Sequence, residues 1–166
     1  MQGHSKPIGG MLRGLGRAAV VAAGLAGFGG AAQAGSCPKD QVLAKPRVVE
    51  NAPDVGVERE ILSMVKLKGW RGVGDLYLRT RRLTVAKDGI VPYHEHDDRP
   101  SIVTIITGEL IEHSTLCAVP ILHRAGETTP EFGAGHAHWW ENKTGKTVVL
   151  LSSDVVPPEM MDDKDM

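Results

Sequence analysis

The chain has 166 residues, which suits one domain, and its 19 basic residues nearly balance its 20 acidic residues. This even charge, with no basic stripe, excludes nucleic acid as an expected partner. Aromatic residues make up only 4% of the chain, so aliphatic side chains must fill the core, while 20 glycines and 10 prolines favour short strands joined by turns.

The first 34 residues have the pattern of an export signal. Basic residues precede an uncharged stretch of small and apolar residues at 18–32, and an A-x-A pattern at 32–34 predicts cleavage before Gly35. The mature chain is then expected in the periplasm or outside the cell. Because the apolar stretch is shorter than the roughly 20 residues of a membrane span, no stable span is expected after cleavage. The alternatives are an uncleaved membrane anchor and, with less support, a lipoprotein at Cys37.

Beyond the signal, a polar arm with several prolines at 35–55 leads into a predicted barrel at 56–156. Short stretches rich in aliphatic and β-branched residues predict strands at 61–67, 76–86, 90–96, 101–107, 109–116, 119–123, 135–141 and 147–155. Several short strands at regular spacing, without a sustained helical period, indicate a β-sandwich or barrel.

Three features of this strand pattern make further predictions. The stretch 101–107 is apolar on both faces, which predicts that it is covered on both sides. Turn residues at 87–89 separate two predicted strands, and the glycines of 131–135 predict a tight loop. The Met- and Asp-rich residues 157–166 predict a flexible acidic tail.

Cys37 and Cys117 both belong to the predicted mature chain. In an oxidising compartment they are free to form a disulfide, which would tie the N-terminal arm to the barrel. The alternative is that Cys117, which lies in an apolar stretch, is a buried thiol. The sequence alone leaves both interpretations open because it does not give the distance between the sulfur atoms.

Two H-x-H pairs carry the chemistry of the sequence. On a strand, residues two apart project to the same face, so His94 and His96 point together while Glu95 points away. Two neighbouring imidazoles in a barrel are costly if either is charged, and a shared metal ion removes this cost. Alone, such a pair is also common on surface strands near a turn. A second pair, His136 and His138, lies on another predicted strand and favours a metal site.

These residues resemble two motifs of the cupin superfamily. Residues 89–108 resemble the first motif, in which a glycine, an H-x-H pair, an acidic residue and a closing glycine follow one another. Residues 126–142 resemble the second motif, whose G-x-x-H-x-x-x-N pattern is met by Gly135, His138 and Asn142. The resemblance implies an all-β, double-stranded β-helix barrel of the jelly-roll kind, with a metal ion inside and often assembled as a homodimer.

The resemblance also implies a ligand set. His94 and His96 correspond to the first-motif ligands and His138 to the second-motif ligand, whereas the usual glutamate position is occupied by Ser101. The expected site therefore resembles the three-histidine variety of some cupin thiol and diketone dioxygenases, with a position open to water or substrate. We expect one divalent ion, with Fe(II) preferred over Mn, Zn, Ni or Cu.

Other side chains are candidates for a place beside these ligands. His136 lies nearer the glycine-rich loop, so it is expected next to the ligands or at the mouth of the site. Of the neighbours Glu112 and His113, only one can face inward, and either is a candidate acid or base. Ser101, in place of the glutamate, is a candidate to contact the substrate.

The remaining candidates each have a structural alternative. Arg99 is a candidate anchor for a substrate carboxylate through its fork of donors, or an ordinary partner of Asp97 or Asp98. The two aspartates are interpreted as a solvated turn rather than as metal ligands. Trp139 and Trp140 point in opposite directions, so one is expected in the core and the other at the site or a subunit contact.

Three functions fit these predictions. The first is a metalloenzyme, of the dioxygenase type, that acts on a small organic substrate. The second is a non-catalytic protein of the cell envelope that binds or senses a small ligand or a metal. The third is a degenerate barrel with a purely structural role. The fold by itself does not choose among them.

Overall fold

The computed structural model describes residues 35–162, and the statements below concern that part of the chain. The export-signal prediction and the last four residues of the predicted tail lie outside the described residues. The described elements are β1 (Val55–Lys66), β2 (Tyr77–Glu95), β3 (Ser101–Thr107), β4 (Glu109–Ser114), β5 (Ile121–Arg124), β6 (Thr128–Glu131), β7 (Ala137–Glu141), β8 (Val148–Val156) and a 3-10 helix at Pro158–Met160. None of the described residues form a helix long and apolar enough to cross a membrane.

Two antiparallel sheets share the long strand β2. Up to Val85, β2 pairs with β8, which pairs with β3, which in turn pairs with β6. From Ile90 onward, β2 pairs with β7, then come β4 and β5. The orders β2-β8-β3-β6 and β2-β7-β4-β5 are those of a jelly roll with two Greek keys. The prediction of an all-β, double-stranded β-helix is confirmed by this strand order.

The segment 86–89 carries β2 from one sheet to the other. The sequence predicts a turn at 87–89 between two strands, but the chain continues as one strand through this point. The turn residues instead produce an irregularity. Asp88 has a φ of 58°, and the register against β1 jumps from Val85 to Ile90. Such a bulge bends a strand, which is how a single strand serves both sheets.

Inward-facing side chains divide the barrel into an apolar and a polar end. The apolar core consists of the buried residues Leu83, Val85, Val91, Val103, Ile105, Leu110, Trp140, Val148 and Leu150. Toward the other end, the same strands bury Arg79, Arg81, Ser101, Ser152 and Asp154. The prediction that residues 101–107 are covered on both faces is wrong, because Ile102 and Ile106 on the outer face are 53% and 45% exposed.

The N-terminal arm lies against the sheet that contains β4 and β5. The first strand, β1, begins at Val55, which is six residues earlier than the first predicted strand at 61–67. A single bridge pairs Val42 with Cys117, and the Leu43 N–H donates to the Leu116 carbonyl over 2.9 Å. Cys37 and Cys117 form a disulfide in the structure, which joins positions 80 residues apart. The arm is thus held against the end of β4 by covalent and hydrogen bonds.

The start of the predicted flexible tail is anchored, contrary to expectation. Residues 158–160 form a 3-10 helix, and the buried guanidinium of Arg79 donates from Nη1 to the carbonyls of Met160 and Met161 over 2.9 and 2.8 Å. Composition alone did not show that a barrel arginine would supply donors to these carbonyl groups.

Candidate metal centre

Strand pairing brings the predicted ligands together at the polar end of the barrel. His94 on β2 lies directly opposite His138 on β7, and their Nε2 atoms are 3.0 Å apart. His96 follows the end of β2, and its ring centroid lies 5.0 Å from that of His94 and 4.9 Å from that of His138. The ligand atoms of the three histidines all lie within 4.8 Å of one another. Three imidazoles from two distant segments therefore converge inside the barrel.

In each of the three rings, Nδ1 already has a hydrogen-bond partner. The Nδ1 atoms of His94 and His96 lie 2.8 Å from the Pro92 carbonyl and 3.0 Å from the Arg99 carbonyl. A carbonyl oxygen only accepts, so both Nδ1 atoms carry a proton and both Nε2 atoms carry a lone pair. The Nδ1 of His138 faces a carboxylate oxygen of Glu112 at 2.7 Å. This arrangement fixes the tautomer that metal-binding histidines need.

The short contact between His94 and His138 fits a shared cation. If both Nε2 atoms carry lone pairs, their 3.0 Å separation is unfavourable unless a proton or a metal ion lies between or beside them. Two nitrogens bound to one ion at about 2.0–2.1 Å lie roughly 2.9–3.4 Å apart for angles between the octahedral and tetrahedral values. The observed separation is within that range.

Glu131 is a fourth group at the site, and the sequence did not predict it. It lies opposite Ser101 in the β3–β6 pair and accepts a hydrogen bond from the Ser101 hydroxyl over 3.0 Å. Its Oε2 is 3.4 Å from the Nε2 of His96, and its Oε1 is 3.6 Å from the Nε2 of His138. The carboxylate that the first motif lacks at position 101 is thus presented from the neighbouring strand.

The sequence does not predict the edge strand β6 either, for an identifiable reason. Its sequence, Thr-Thr-Pro-Glu, does not alternate apolar and polar residues, and a proline normally argues against a strand. Proline is tolerated on an edge strand, and β6 lies at the end of its sheet. The serine at position 101, where the motif has a glutamate, was the one signal in the sequence that pointed to a carboxylate from another strand.

Two buried polar atoms at the site have no hydrogen-bond partner among the described residues. They are the Nε2 of His96 and the Oε1 of Glu131, and both side chains are at least 98% buried. Buried polar groups are nearly always satisfied, so an orphaned nitrogen lone pair and an orphaned carboxylate oxygen in one cluster call for a ligand. A divalent ion would satisfy both, and the donor set of imidazole and carboxylate fits Fe, Mn, Zn, Ni or Cu.

The pKa directions describe a site built for a cation. Burial, reinforced by His138, holds the pKa of His94 well below its usual range, and burial with His138 and Arg99 lowers the pKa of His96 to about 2. Burial also acts against a charge on His138, but Glu131 and Glu112 outweigh it and raise the pKa of His138. Burial raises the pKa of Glu131. The carboxylates that favour a proton on His138 also favour a metal ion.

Of the neighbours Glu112 and His113, Glu112 faces inward, and it contacts His138. Its second oxygen accepts a hydrogen bond from the Nε2 of His123 over 2.8 Å, and Thr129 Oγ1 contacts the Nδ1 of His123 at 3.0 Å. Although burial opposes it, the contacts with His138, His123 and His136 hold the pKa of Glu112 well below its usual range. His113 lies on the outer face, where its ring stacks on Trp139 at 3.9 Å.

The Arg99 side chain points into the barrel, toward Asp154, and its contact with a substrate carboxylate stays a prediction. It is 2% exposed, its Nη1 lies 3.8 Å from Asp154, and its Nη2 donates to the Glu95 carbonyl over 3.1 Å. Arg79 and Arg81 contact the same Asp154 carboxylate at 2.7 and 3.1 Å. The expected salt bridge to the turn aspartates is therefore wrong, because the arginine points into the barrel.

The turn aspartates have a structural role. Asp97 and Asp98 are exposed, as expected for a solvated turn. Asp97 Oδ1 accepts the backbone N–H of Gly135 over 2.6 Å, which ties the H-x-H corner to the loop before β7. Neither aspartate belongs to the histidine cluster.

Trp140 lines a small cavity beside the histidines. The cavity has a volume of about 20 Å³. It is lined by Leu83, Val91, His94, Val103, Glu131, Trp140, Leu150 and Ser152. Trp140 is 2% exposed, and its ring lies 5.5 Å from that of His138. The cavity walls are therefore mainly apolar, and their polar members are His94, Glu131 and Ser152.

Comparison with known proteins gives structural likeness only. No family model matches the chain, and no curated protein matches it. Similar solved structures include the Cupin_2 domain of an XRE family transcriptional regulator from Enterobacter cloacae, with 13% identity, a TM-score of 0.45 and coverage of 61% of this chain and 98% of that one. KdgF from Halomonas sp. has 12% identity, a TM-score of 0.49 and coverage of 68% and 92%.

An oxalate oxidase in complex with the substrate analogue glycolate has 18% identity, a TM-score of 0.46 and coverage of 69% of this chain and 61% of that one. Because these TM-scores are below 0.5, the fold assignment depends on the strand order of this chain and not on its neighbours. That strand order makes the described residues a double-stranded β-helix of the jelly-roll kind.

Proposed function

We propose that the chain binds one divalent transition-metal ion through His94, His96 and His138, with the Glu131 carboxylate as a fourth ligand. The observation that carries this proposal is the convergence of three Nε2 atoms whose rings are fixed at Nδ1, next to an orphaned carboxylate oxygen. An ion that takes six ligands keeps two positions for other molecules. This set adds one negative charge to the three-histidine site that the motifs imply.

We further propose that the metal-bound protein is an oxidoreductase of the dioxygenase type that acts on a small organic substrate. A redox-active ion such as Fe(II) would supply the chemistry toward O2, which protein side chains lack. The chain supplies neutral imidazoles, one compensating carboxylate and an apolar cavity beside His94 and Glu131. This cavity accepts a molecule about the size of water and has mainly apolar walls, which suits a diatomic gas.

One observation favours the alternative, a non-catalytic protein that carries or senses a metal or small ligand. The cavity beside the histidines is too small for an organic substrate of several heavy atoms unless the barrel opens. An ion without room for a substrate beside it is compatible with metal carriage or metal sensing. Turnover, and not binding, separates the two functions.

Metal analysis and oxygen uptake test these proposals in sequence. Purified protein should hold one equivalent of metal at this site, and the double variant His94→Ala/His96→Ala should hold none there. The control His113→Gln, on the outer face, should retain the wild-type metal content. Full retention in the double variant would overturn the site.

Oxygen uptake by Fe(II)-loaded protein with thiols, diketones and phenols is expected for the enzyme, and its absence across this panel supports the binding protein.

Export and dimerisation also remain proposals. The disulfide between Cys37 and Cys117 supports an oxidising compartment such as the periplasm, and N-terminal sequencing should find Gly35 first.

The outer face of the sheet β2-β8-β3-β6 exposes Leu78, Ile102 and Ile106, which supports a homodimer through that face. Light scattering that gives a monomer mass at micromolar concentration would contradict the dimer.

A further inference from the structure

A second cluster of ligands lies on the other side of the His138 ring. Its Nδ1 is 2.7 Å from Glu112 Oε1, and the same oxygen is 3.9 Å from the Nε2 of His136. The other oxygen of Glu112 is 2.8 Å from the Nε2 of His123. A buried carboxylate is thus surrounded by three imidazoles, of which His138 also belongs to the metal centre described above.

The geometry of this cluster suits a metal ion. The ligand atoms of Glu112, His136 and His138 all lie within 4.8 Å of one another. Two ligands of one ion lie at most about 4.2 Å apart when each bond is about 2.0–2.1 Å long. The contacts of Glu112 Oε1 with His138 and His136, at 2.7 and 3.9 Å, satisfy this limit, and a small rotation of the partly exposed His136 ring would bring any longer separation within it. Two imidazoles and a carboxylate match the preference of Zn²⁺ and Cu²⁺.

This cluster has its own route from outside. A cleft of about 270 Å³ lies between the N-terminal arm and the strands β4 to β6, and it is lined by Glu112, His136, Thr129, Gly35 and the Cys37–Cys117 disulfide, among others. The side chain of His136 is 13% exposed, whereas that of His138 is fully buried. An ion that enters this cleft would meet His136 and Glu112 first, without passing the small cavity beside His94.

We infer that Glu112, His136 and His138 form a second divalent-metal site, and that His138 bridges two ions through its two nitrogens. The second ion displaces the Nδ1 proton of His138, which is released to solvent, so that the ring becomes a bridging imidazolate. Glu112 then exchanges a hydrogen bond to His138 for a bond to the ion. This inference goes beyond the proposed function, but the bridge depends on occupancy of the first site.

Metal titration of the full chain tests the second site. Metal-free protein titrated with Zn²⁺ in a calorimeter should bind two equivalents, the second more weakly than the first. The variant His136→Gln should bind one equivalent, because it removes a ligand of the second site only. The matched control His113→Gln removes a histidine from the outer face and should still bind two. Two equivalents in His136→Gln, or a single wild-type equivalent that His136→Gln retains, would overturn the second site.

A spectroscopic readout on the wild type needs no variant. With Cu²⁺, two ions on one imidazolate couple magnetically, so the second equivalent should reduce the Cu²⁺ electron paramagnetic resonance signal. A signal that doubles would overturn the bridge.

The variant His94→Ala separates this inference from the proposed function. A wild-type stoichiometry of one that His94→Ala abolishes overturns only the second site. A single equivalent that survives His94→Ala but not His136→Gln overturns the first site instead.

Discussion

At the scale of single residues, the candidate site depends on the different roles of the two nitrogens of each histidine. Backbone carbonyls and Glu112 engage Nδ1, which leaves Nε2 for the ion. The H-x-H spacing alone already placed His94 and His96 on one face. It did not indicate which carboxylate completes the set, because Glu131 follows Ser101 by 30 residues and meets it only through strand pairing.

The proposed role of Glu131 predicts a graded loss of metal affinity. Glu131→Gln removes the negative ligand and should weaken Zn²⁺ binding more than Ser101→Ala, which removes only a hydrogen bond to that ligand. Losses of about 10–100-fold are typical for partners of metal ligands, so Ser101→Ala should fall in this range. Competition with a chelator of known affinity measures both. Equal affinities for Glu131→Gln and the wild type would rule out Glu131 as a ligand.

At the scale of elements, tight connections hold the paired strands in register. Gly108, the closing glycine of the first motif, joins β3 to β4 with a φ of 78°. A Cβ atom there would lie 2.8 Å from Cγ2 of Val148, which is fully buried on β8. Both the backbone conformation and the close approach therefore require glycine at this position.

A matched pair of glycines separates these two requirements. Gly126 also has a positive φ, of 90°, but a Cβ atom there would meet nothing within 4 Å. Gly126→Ala should lower the free energy of unfolding by about 1–2 kcal/mol through backbone strain alone. Gly108→Ala should lower it by about 1–3 kcal/mol more, because it also overpacks the core. Urea unfolding of both variants measures the difference, and equal losses would show that the contact with Val148 is relieved.

At the scale of the whole molecule, the barrel separates an apolar end from a polar end in which charges are buried. Arg79, Arg81 and Arg99 surround Asp154, and the histidines and Glu131 lie on neighbouring strands. Removing such groups from water is costly, and removing one member of a buried pair leaves the other uncompensated. The polar end therefore depends on every one of its charged groups having its partner in place.

The histidine pKa values predict how the stability of the metal-free protein depends on pH. The folded-state pKa values of His94 and His96 lie below the unfolded value of about 6.5, so only the unfolded chain takes up their protons as the pH falls through this region. Stability is therefore full above pH 6.5 and decreases below it, by up to about 1.4 kcal/mol per pH unit for each group. His138, whose pKa is raised, has the opposite sign and loses its contribution as the pH rises.

Urea unfolding of the metal-free protein at pH 7.0, 6.0 and 5.0 measures this dependence. The double variant His94→Ala/His96→Ala should show a smaller decrease, whereas His113→Gln should keep the wild-type slope. A wild-type free energy of unfolding that stays constant across this range would contradict neutral, buried imidazoles.

The sequence by itself determined the β class of the fold, the strands that carry His94 and His138 and three of the four groups at the site, because these features depend on alternation along a strand and on local turn residues. Only the tertiary structure decided that Glu131 completes the cluster, that Arg99 faces Asp154 and that Ile102 stays exposed. Each of these depends on which strands pair and in which register. That choice is made by the packing of distant segments, which no local pattern records.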